Sequence, residues 1–470
     1  MAAINATQNG SDLSSVLRAA PEKYTTLDQL LKYNKPDNRD LLIETYGDQG
    51  ITGFLEMVGA VRSAGTADQI QYWEEGRLHK KVTTVTGGLA AVTGDTPDSG
   101  QLHIGNLTGD DDAPVRLNDV LLSPGGQRLV VVGTADGSDA NHVIVVTLDG
   151  SDLTAETTAS KDFIIIGNIY AQGTSQPTRF YDTDVTKRTN DFFITKETFH
   201  VNGSQATNLG WINVGGDYRW YVKGEMDARK RFLNQREMMM MLSQRVGTTN
   251  TNVDLSGATD ATSGLGNITG SEGYFSAIEN RGITTTGTFG DGTGLADIDA
   301  ILLELDKQGA PSEYAMYVAL QTSLNIDDML AGGVSTGVTA GLAGQFGAFN
   351  NDSDMAAQLG FKSFTRGGYT IHKHDWKLLN DPTLLGNSDQ AFKGVMCPMS
   401  KVADARTGAK SYALEMNYKE ANGYSRDVEH WVEGGGVLGF ATNDQDVAKF
   451  HYRSEACLVT RAANQHVLLK

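Results

Sequence analysis

The sequence predicts an α+β chain in which short strands predominate and one helix is much longer than the others. Runs such as RLVVVG, NHVIVVTLDG and KDFIIIGNIY are rich in β-branched residues and are bounded by Gly, Asp and Ser, as strands are. The stretch Asp217–Val246 instead repeats apolar residues at spacings of three, four and seven, which predicts a helix of roughly 45 Å at 1.5 Å per residue. A chain of 470 residues exceeds what one core usually supports, so we expect two or more sub-domains.

The predicted long helix has two contrasting faces. Its buried stripe is expected to contain the recurring apolar residues Phe232, Met239, Leu242 and Val246, widened by Leu233 and Met240. The other face is expected to be basic, with the six cations Lys223, Arg229, Lys230, Arg231, Arg236 and Arg245. Because the formal net charge of the chain is -18, this basic stretch needs an explanation.

Four consecutive methionines, Met238, Met239, Met240 and Met241, point around the whole predicted helix. With Phe232 they are the candidate packing or interface residues. The ordinary interpretation is packing against an overlying sheet. The alternative is an adaptable contact surface, since methionine tolerates several packing geometries.

The segments before the helix differ in character. Residues 1–65 form a polar segment with short helical patterns such as TTLDQLLKYN, which predicts an arm. Residues 66–216 carry the strand patterns, and their spacing predicts hairpins and a small barrel or sandwich. The run NDFFITKETFHVNGS is predicted to be the strand that leads into the long helix.

The segments after the helix alternate between loops and regular elements. Residues 247–270 and 331–349 are rich in small and polar residues and are predicted to be loops. SEGYFSAIENRGI predicts a helix closed by Gly282, and ADIDAILLELDKQGA predicts one ended by Gly309. From residue 361 onward, strand patterns return in GGYTIHKHDW, KSYALEMNYKE, VEHWVEGG and KFHYRSEACLVT.

Composition excludes several classes of protein. The acidic balance argues against nucleic-acid binding over the whole surface, although a local basic stripe remains compatible with it. The only two cysteines, Cys397 and Cys457, lie among apolar neighbours, which predicts buried free thiols. We expect no targeting peptide and no membrane-spanning helix, because no basic segment precedes an apolar run and no apolar run approaches 18 residues.

The clearest candidate for chemistry is the H-x-H pair of His372 and His374 with Asp375 beside it. Two histidines two apart on a strand project from one face, as metal ligands do, but such a site needs further ligands from other strands. Gly287–Gly294 lacks the Gly-Lys-Ser/Thr ending of a phosphate-binding loop, and Asp110–Asp112 lacks EF-hand spacing. No nucleophile elbow occurs, so the sequence predicts no enzyme, no metal and no cofactor.

The order of these elements resembles that of the tailed-phage major capsid proteins of the Hong Kong 97 type. The resemblance is carried by the arm-like YTTLDQLLKYNKPDNRDLLIETYG, by NDFFITKETFHVNGS, by EMDARKRFLNQREMMMMLSQR in the position of the family's spine helix, by GYFSAIENRGI and by the terminal FHYRSEACLVTRAANQHVLL. Each motif is moderately specific, and their order along most of the chain makes the case.

The resemblance implies a division of the chain into domains. Residues 1–65 correspond to an N-terminal arm, and residues 66–216 to an extended loop that carries an inserted β sub-domain at about 88–180. Residues 217–283 and 406–470 correspond to the peripheral domain, which includes the spine helix 217–246, and residues 284–405 to the axial domain. The inserted region departs from minimal members of the family.

The resemblance also implies a function. The chain would self-assemble through hexamers and pentamers into an icosahedral shell around the double-stranded DNA of a tailed bacteriophage, after synthesis in the host cytoplasm. The expected partners are further copies of the chain, a portal, a scaffold, a decoration protein and non-specifically bound DNA on an inner face that carries the six cations, with no membrane. The family's lysine crosslink is not carried over to Lys80 or Lys81, because no asparagine partner can be identified. Two alternatives stay open, a metal-dependent hydrolase or adhesin using His372, His374 and Asp375, and a phage tail module.

Overall fold

The computed structural model divides the chain into two compact units, each described here by itself. The main unit contains residues 1–72 and 189–470, and the inserted unit contains residues 73–188. The structure describes residues 57–92, 99–104, 114–133, 142–177, 180–181, 183, 185–206, 220–245, 270–287, 289, 294–332, 362–386, 392–403, 408, 410–435 and 441–470.

Five helices lie in the described residues, all of them in the main unit. They are α1 Gly203–Ala206, α2 Trp220–Leu242, α3 Tyr274–Arg281, α4 Gly294–Lys307 and α5 Leu320–Gly332. Short 3-10 turns occur at Lys377–Leu379 and Ala463–Gln465. None of the helices in the described part of the chain is long and apolar enough to cross a membrane.

Strands make up most of the regular structure, so the predicted α+β class is confirmed. In chain order the strands are β1 Ala60–Ser63, β2 Gln69–Glu75, β3 Lys81–Thr83, β4 Leu89–Val92, β5 Ser99–His103, β6 Asp119–Leu122, β7 Arg128–Gly133, β8 His142–Thr147, β9 Asp162–Asn168, β10 Val185–Asp191, β11 Phe193–Asn202, β12 Ile283–Thr285, β13 Glu313–Val318, β14 Ser363–Arg366, β15 Tyr369–Asp375, β16 Gly394–Pro398, β17 Val402–Ala403, β18 Lys410–Ser411, β19 Leu414–Tyr418, β20 Glu420–Ala421, β21 Tyr424–Ser425, β22 Glu429–Gly434, β23 Val447–Thr460 and β24 Val467–Leu469.

The inserted unit is built on one seven-stranded sheet with the order β3-β9-β6-β7-β8-β5-β4, in which every pair is antiparallel. Each strand contributes at least one side chain to a single apolar core, which includes Val82, Leu102, Leu121 and Phe163. No helix from the described residues of this unit contributes to the core, and residues outside the strands also pack into it.

The main unit contains a six-stranded mixed sheet with the order β12-β24-β16-β13-β15-β14. Its strand β13 is buried on both faces, because Tyr314 and Met316 pack with helices α4 and α5 while Ala315 and Tyr317 pack with α2 and α3. Strand β24, from the end of the sequence, pairs in parallel with β12 and antiparallel with β16. The last strand of the predicted peripheral segment therefore lies inside a sheet built mainly from the predicted axial segment.

A second sheet of the main unit has five strands in the order β1-β19-β23-β11, with β22 also paired to β23. The predicted strand before the long helix is β11, whose ten residues all pair with β23. Side chains alternate across β11, so Phe193 and Val201 are buried on one face while Lys196 and His200 are exposed on the other. Helix α2 covers the buried face.

Both predicted shorter helices are confirmed, and the expected glycine follows each of them. Gly282 closes α3 by donating its backbone N–H to the carbonyl of Ile278 at 2.6 Å. Gly309 follows α4 with a φ of +63°, a left-handed conformation that favours glycine. The prediction for the cysteines is also confirmed, since Cys397 and Cys457 are buried free thiols.

Several predicted segments lie outside the described residues. They are residues 1–56 of the predicted arm, Asp110–Asp112, most of the predicted loop 247–270 and residues 333–349 of the second predicted loop. Only the end of the predicted arm is described, where strand β1 pairs in parallel with β19.

Candidate assembly surfaces

The long helix α2 packs against two different cores along its length. Near its middle, Phe232 is fully buried against the five-stranded sheet, with its ring 5.7 Å from that of Tyr452. In its second half, Met240 and Met241 are fully buried in the core between α3 and the mixed sheet, and Met238 is half-buried against the same core.

This change of core makes one prediction from the sequence wrong. Residues seven apart, such as Phe232 and Met239, lie on nearly the same side of a helix, and both were expected in one buried stripe. Phe232 is buried, but Met239 is 41% exposed. The side of the helix that is buried changes along its length, so no single stripe describes it.

The helix is also shorter than the predicted range Asp217–Val246, both ends of which lie outside the described residues. It ends at Leu242 because contacts with another segment replace the helical hydrogen bonds. The hydroxyl of Ser243 donates to the carbonyl of Ser271 at 2.5 Å, and the carbonyl of Ser243 accepts the N–H of Gly273 at 2.8 Å.

Ion pairs neutralise most of the predicted basic face. Carboxylates pair with four of the six cations, at N–O distances of 2.9 Å for Lys223–Asp227, 3.6 Å for Arg231–Glu197, 2.8 Å for Arg236–Asp427 and 3.0 Å for Arg245–Asp191. Arg229, Lys230, Arg231 and Arg245 are exposed. The exposed positive charge of α2 therefore lies at Arg229, Lys230 and Arg231, which are adjacent in sequence.

Arg236 is a further correction, because it was expected on the solvent-facing side and is buried. Its guanidinium donates to the Asp427 carboxylate at 2.8 Å and to the Asp427 carbonyl at 3.1 Å, which fixes the segment before β22 against the helix. The next residue, Glu237, is also buried. Burial raises the pKa of its carboxyl to about 7, although the charge of Arg236 opposes this shift.

The most exposed apolar side chains of the inserted unit lie on or near the paired strands β2 and β10, which form a two-stranded ribbon. Trp73 on β2 is 65% exposed and Phe180, shortly before β10, is 84% exposed. Leu78 and Val185 are also exposed. A two-stranded ribbon is marginally stable by itself in water, so exposed aromatic residues on it indicate a surface that is covered by a partner.

The residues of this ribbon that belong to the main unit are held firmly. The side-chain amide of Asn190 donates to the carbonyls of Leu458 at 2.7 Å and Glu272 at 2.9 Å, and its oxygen accepts the Glu272 N–H at 2.7 Å. Gln69 donates to the Asp191 carboxylate at 2.7 Å. Polar bonds therefore fix the point where the ribbon begins.

The sequence resemblance assigned this region to an extended loop that overlaps a neighbouring subunit, but sequence reasoning did not single out Trp73 or Phe180. The available signal was the run QIQYWEE, in which a tryptophan stands between polar residues at the period of a strand. Phe180 had no such signal, because it lies outside the strands in an irregular segment.

The candidate metal ligands His372, His374 and Asp375 do not converge on a common point, and the two histidines contact different residues. His372 lies 3.3 Å from a carboxylate oxygen of Glu313, while the ring of His374 stacks on Tyr317 with centroids 5.1 Å apart. Asp375, at the end of β15, is exposed. Within the described residues, no group of three or more His, Cys, Asp or Glu side chains is placed to hold a metal ion.

Comparison with known proteins gives structural likenesses only. No family model and no curated protein sequence matches this chain. The capsid structure of the cyanophage P-SCSP1u is similar over 95% of this chain and 94% of its own, with 9% identity and a TM-score of 0.37. A Mycobacterium phage Adephagia structure is similar over 95% of this chain and 98% of its own, with 9% identity and a TM-score of 0.39.

A third likeness is to the asymmetric unit of the bacteriophage PhiM1 mature capsid. It covers 64% of this chain and 78% of that one, with 11% identity and a TM-score of 0.32. At these identities and TM-scores, support for a function has to come from the contacts and exposed residues of this chain.

Proposed function

We propose that this chain is the structural subunit of a phage capsid. The observation that carries the proposal is the ribbon of β2 and β10, on which Trp73 and nearby Phe180 are largely exposed although the ribbon is too small to be stable by itself. These side chains are apolar and do not pack into the core of their own subunit. Such a surface is typical of the contact between a subunit and a neighbouring copy.

The finer proposal is an icosahedral shell of hexamers and pentamers around double-stranded DNA, assembled in the host cytoplasm. Portal, scaffold and decoration proteins are the proposed further partners. The anchored start of the ribbon supports this function, since an arm that binds a neighbour has to be attached to its own subunit. Asn190 and the Gln69–Asp191 bond provide that attachment within the main unit.

The proposed DNA contact is narrower than the sequence predicted. Arg229, Lys230 and Arg231 are exposed cations of α2, whereas Arg236 is buried. Non-specific binding of a phosphate backbone needs accessible positive charge. We therefore assign the proposed inner-face contact to Arg229, Lys230 and Arg231.

Electron microscopy of purified chain tests the capsid proposal. We expect closed, uniform particles from the unmodified chain, and loss of particles with retained folding when Trp73→Ser and Phe180→Ser are combined. Leu303→Ser is the matched control, because Leu303 is 64% exposed on helix α4 and has no role in the ribbon. Uniform particles from the double variant, or an unmodified chain that stays monomeric under all assembly conditions, would contradict the proposal.

A further inference from the structure

A second apolar surface lies on the seven-stranded sheet of the inserted unit, and its interpretation rests on the proposed capsid function. The surface, called here the β6 patch, contains Leu117, Val132, Ile164, Ile166 and Ile169, each about half exposed. Strand β6 lies between β7 and β9 in the sheet, so residues from three neighbouring segments contribute to the patch.

Two irregularities of the sheet bring residues to this patch. The pairing register shifts between β6 and β9, leaving Ile166 as an extra residue on β9. It shifts again between β7 and β8, leaving Val132 as an extra residue on β7. Both extra residues are aliphatic and exposed. Bulges of this kind redirect side chains and occur often beside functional surfaces.

The backbone between the two bulges is held in an unusual conformation. Asn118 has a φ of +69°, a left-handed conformation that asparagine adopts more readily than most other residues apart from glycine. Its N–H donates to the carbonyl of Val131 at 2.8 Å, and its carbonyl accepts the N–H of Ile169 at 3.0 Å. These two bonds place Leu117 between the segments that carry Val132 and Ile169.

Buried polar contacts next to Asn118 maintain this arrangement. The fully buried carboxylate of Asp119 accepts the backbone N–H of Arg116 at 2.8 Å and the hydroxyl of Tyr181. The guanidinium of Arg116 lies 4.1 Å from the centre of the Tyr181 ring. These contacts of Asp119, Arg116 and Tyr181 hold the backbone beneath the patch in one conformation.

The size of the patch indicates what covers it. Five half-exposed aliphatic side chains together present on the order of 200 Å² of apolar surface. A stable complex of two free proteins needs about 800 Å² on each partner. An area this small becomes effective only where other contacts already hold the partner at high local concentration.

We infer that the β6 patch contacts a second copy of this chain within the assembled particle and is unoccupied in the free subunit. The ribbon supplies the primary contact between copies, and the patch adds a weaker contact once the copies are in place.

Site-directed crosslinking tests this inference. Ile166→Cys is labelled with a maleimide-linked benzophenone, which photocrosslinks to any adjacent chain, and is irradiated in assembled particles and in free subunits at the same concentration. Cys397 and Cys457 are buried, so they give little background. Asp152→Cys is the matched control, because Asp152 is exposed elsewhere on the inserted unit. We expect covalent dimers of the Ile166→Cys chain in particles, at least tenfold more than in free subunits or in the control.

The outcomes separate this inference from the capsid proposal. Particles without excess dimers at Ile166→Cys, or crosslinks from it to a different polypeptide, would overturn the inference and leave the capsid proposal standing. Val132→Cys is the second variant if Ile166→Cys does not assemble, and the same outcomes apply to it. Absence of particles from the unmodified chain would overturn both.

Discussion

The inserted unit and the main unit form their sheets by different routes. All pairs of the seven-stranded sheet join strands between residues 81 and 168. The main unit instead brings together distant parts of the sequence. Strand β1 pairs with β19, more than 350 residues later, and β24 pairs with both β12 and β16.

The difference teaches that the two units should respond independently to changes in their cores. The inserted unit forms its seven-stranded sheet from one continuous segment of the chain. The mixed sheet of the main unit is incomplete until β24, from the end of the sequence, is in place. Pairing of strands that are distant in sequence costs loop-closure entropy before stabilising contacts form between them. The main unit is therefore expected to fold more slowly than the inserted unit.

The largest expected effect is loss of the main unit after removal of residues 467–470. Val467, Leu468 and Leu469 are fully buried, and at about 1.5–3 kcal/mol for each side chain the deletion removes roughly 5–9 kcal/mol, comparable to the whole stability of a domain. Limited proteolysis with mass spectrometry should leave a protected fragment near residues 73–188. Lys470→Ala, which keeps β24, is the control. Equal loss of protection in both units would break the comparison.

The mirror-image change is Phe163→Ala in the inserted unit. Phe163 is fully buried in the core of that unit, so its truncation should cost about 3–5 kcal/mol. Hydrogen-exchange mass spectrometry of unassembled chain should show faster exchange in peptides from the inserted unit and unchanged exchange in β13 and β16. The neighbouring exposed residue gives the control Ile164→Ala. Accelerated exchange in the main unit would show that the two units are coupled.

The smallest effect is a pH dependence confined to the main unit. His466 is fully buried beside Tyr274, whose hydroxyl lies 2.7 Å from its Nδ1, and burial lowers the pKa of His466 from 6.5 to about 4. The folded state therefore binds fewer protons than the unfolded state between these values. Stability is fully present above pH 6.5 and falls by about 3 kcal/mol as the pH decreases through 4.

Urea unfolding followed by hydrogen exchange at pH 7 and pH 4 measures this loss. His466→Gln should reduce the pH-dependent part of the loss in the main unit, whatever its effect at pH 7. His79→Gln, at an exposed site in the inserted unit, should leave the pH dependence unchanged. An unaltered pH dependence in the His466→Gln variant would exclude this histidine as its origin.

Local patterns in the sequence predicted the elements that end at a glycine or that alternate regularly between apolar and polar residues. Gly309 marks a helix end because its left-handed backbone favours glycine, and the alternation in β11 shows directly which side of the sheet is covered. These features depend only on nearby residues. They were therefore readable without knowledge of the tertiary structure.

The features that sequence patterns did not predict depend on distant contacts. The exposure of Met239 follows from the change of core along α2, and burial of Arg236 depends on Asp427, almost two hundred residues away. The bulges at Ile166 and Val132 depend on the registers of neighbouring strands. Periodicity within a single segment carries no information about any of these partners.

An electron cryomicroscopy reconstruction of the assembled particles tests the central claim most directly. The account predicts closed shells in which Trp73 and Phe180, exposed in the single chain, are buried against a neighbouring copy. Shells in which both side chains remain in solvent would contradict the role given to the ribbon, and a chain that yields no ordered particles either alone or with a scaffold protein would contradict the capsid function itself.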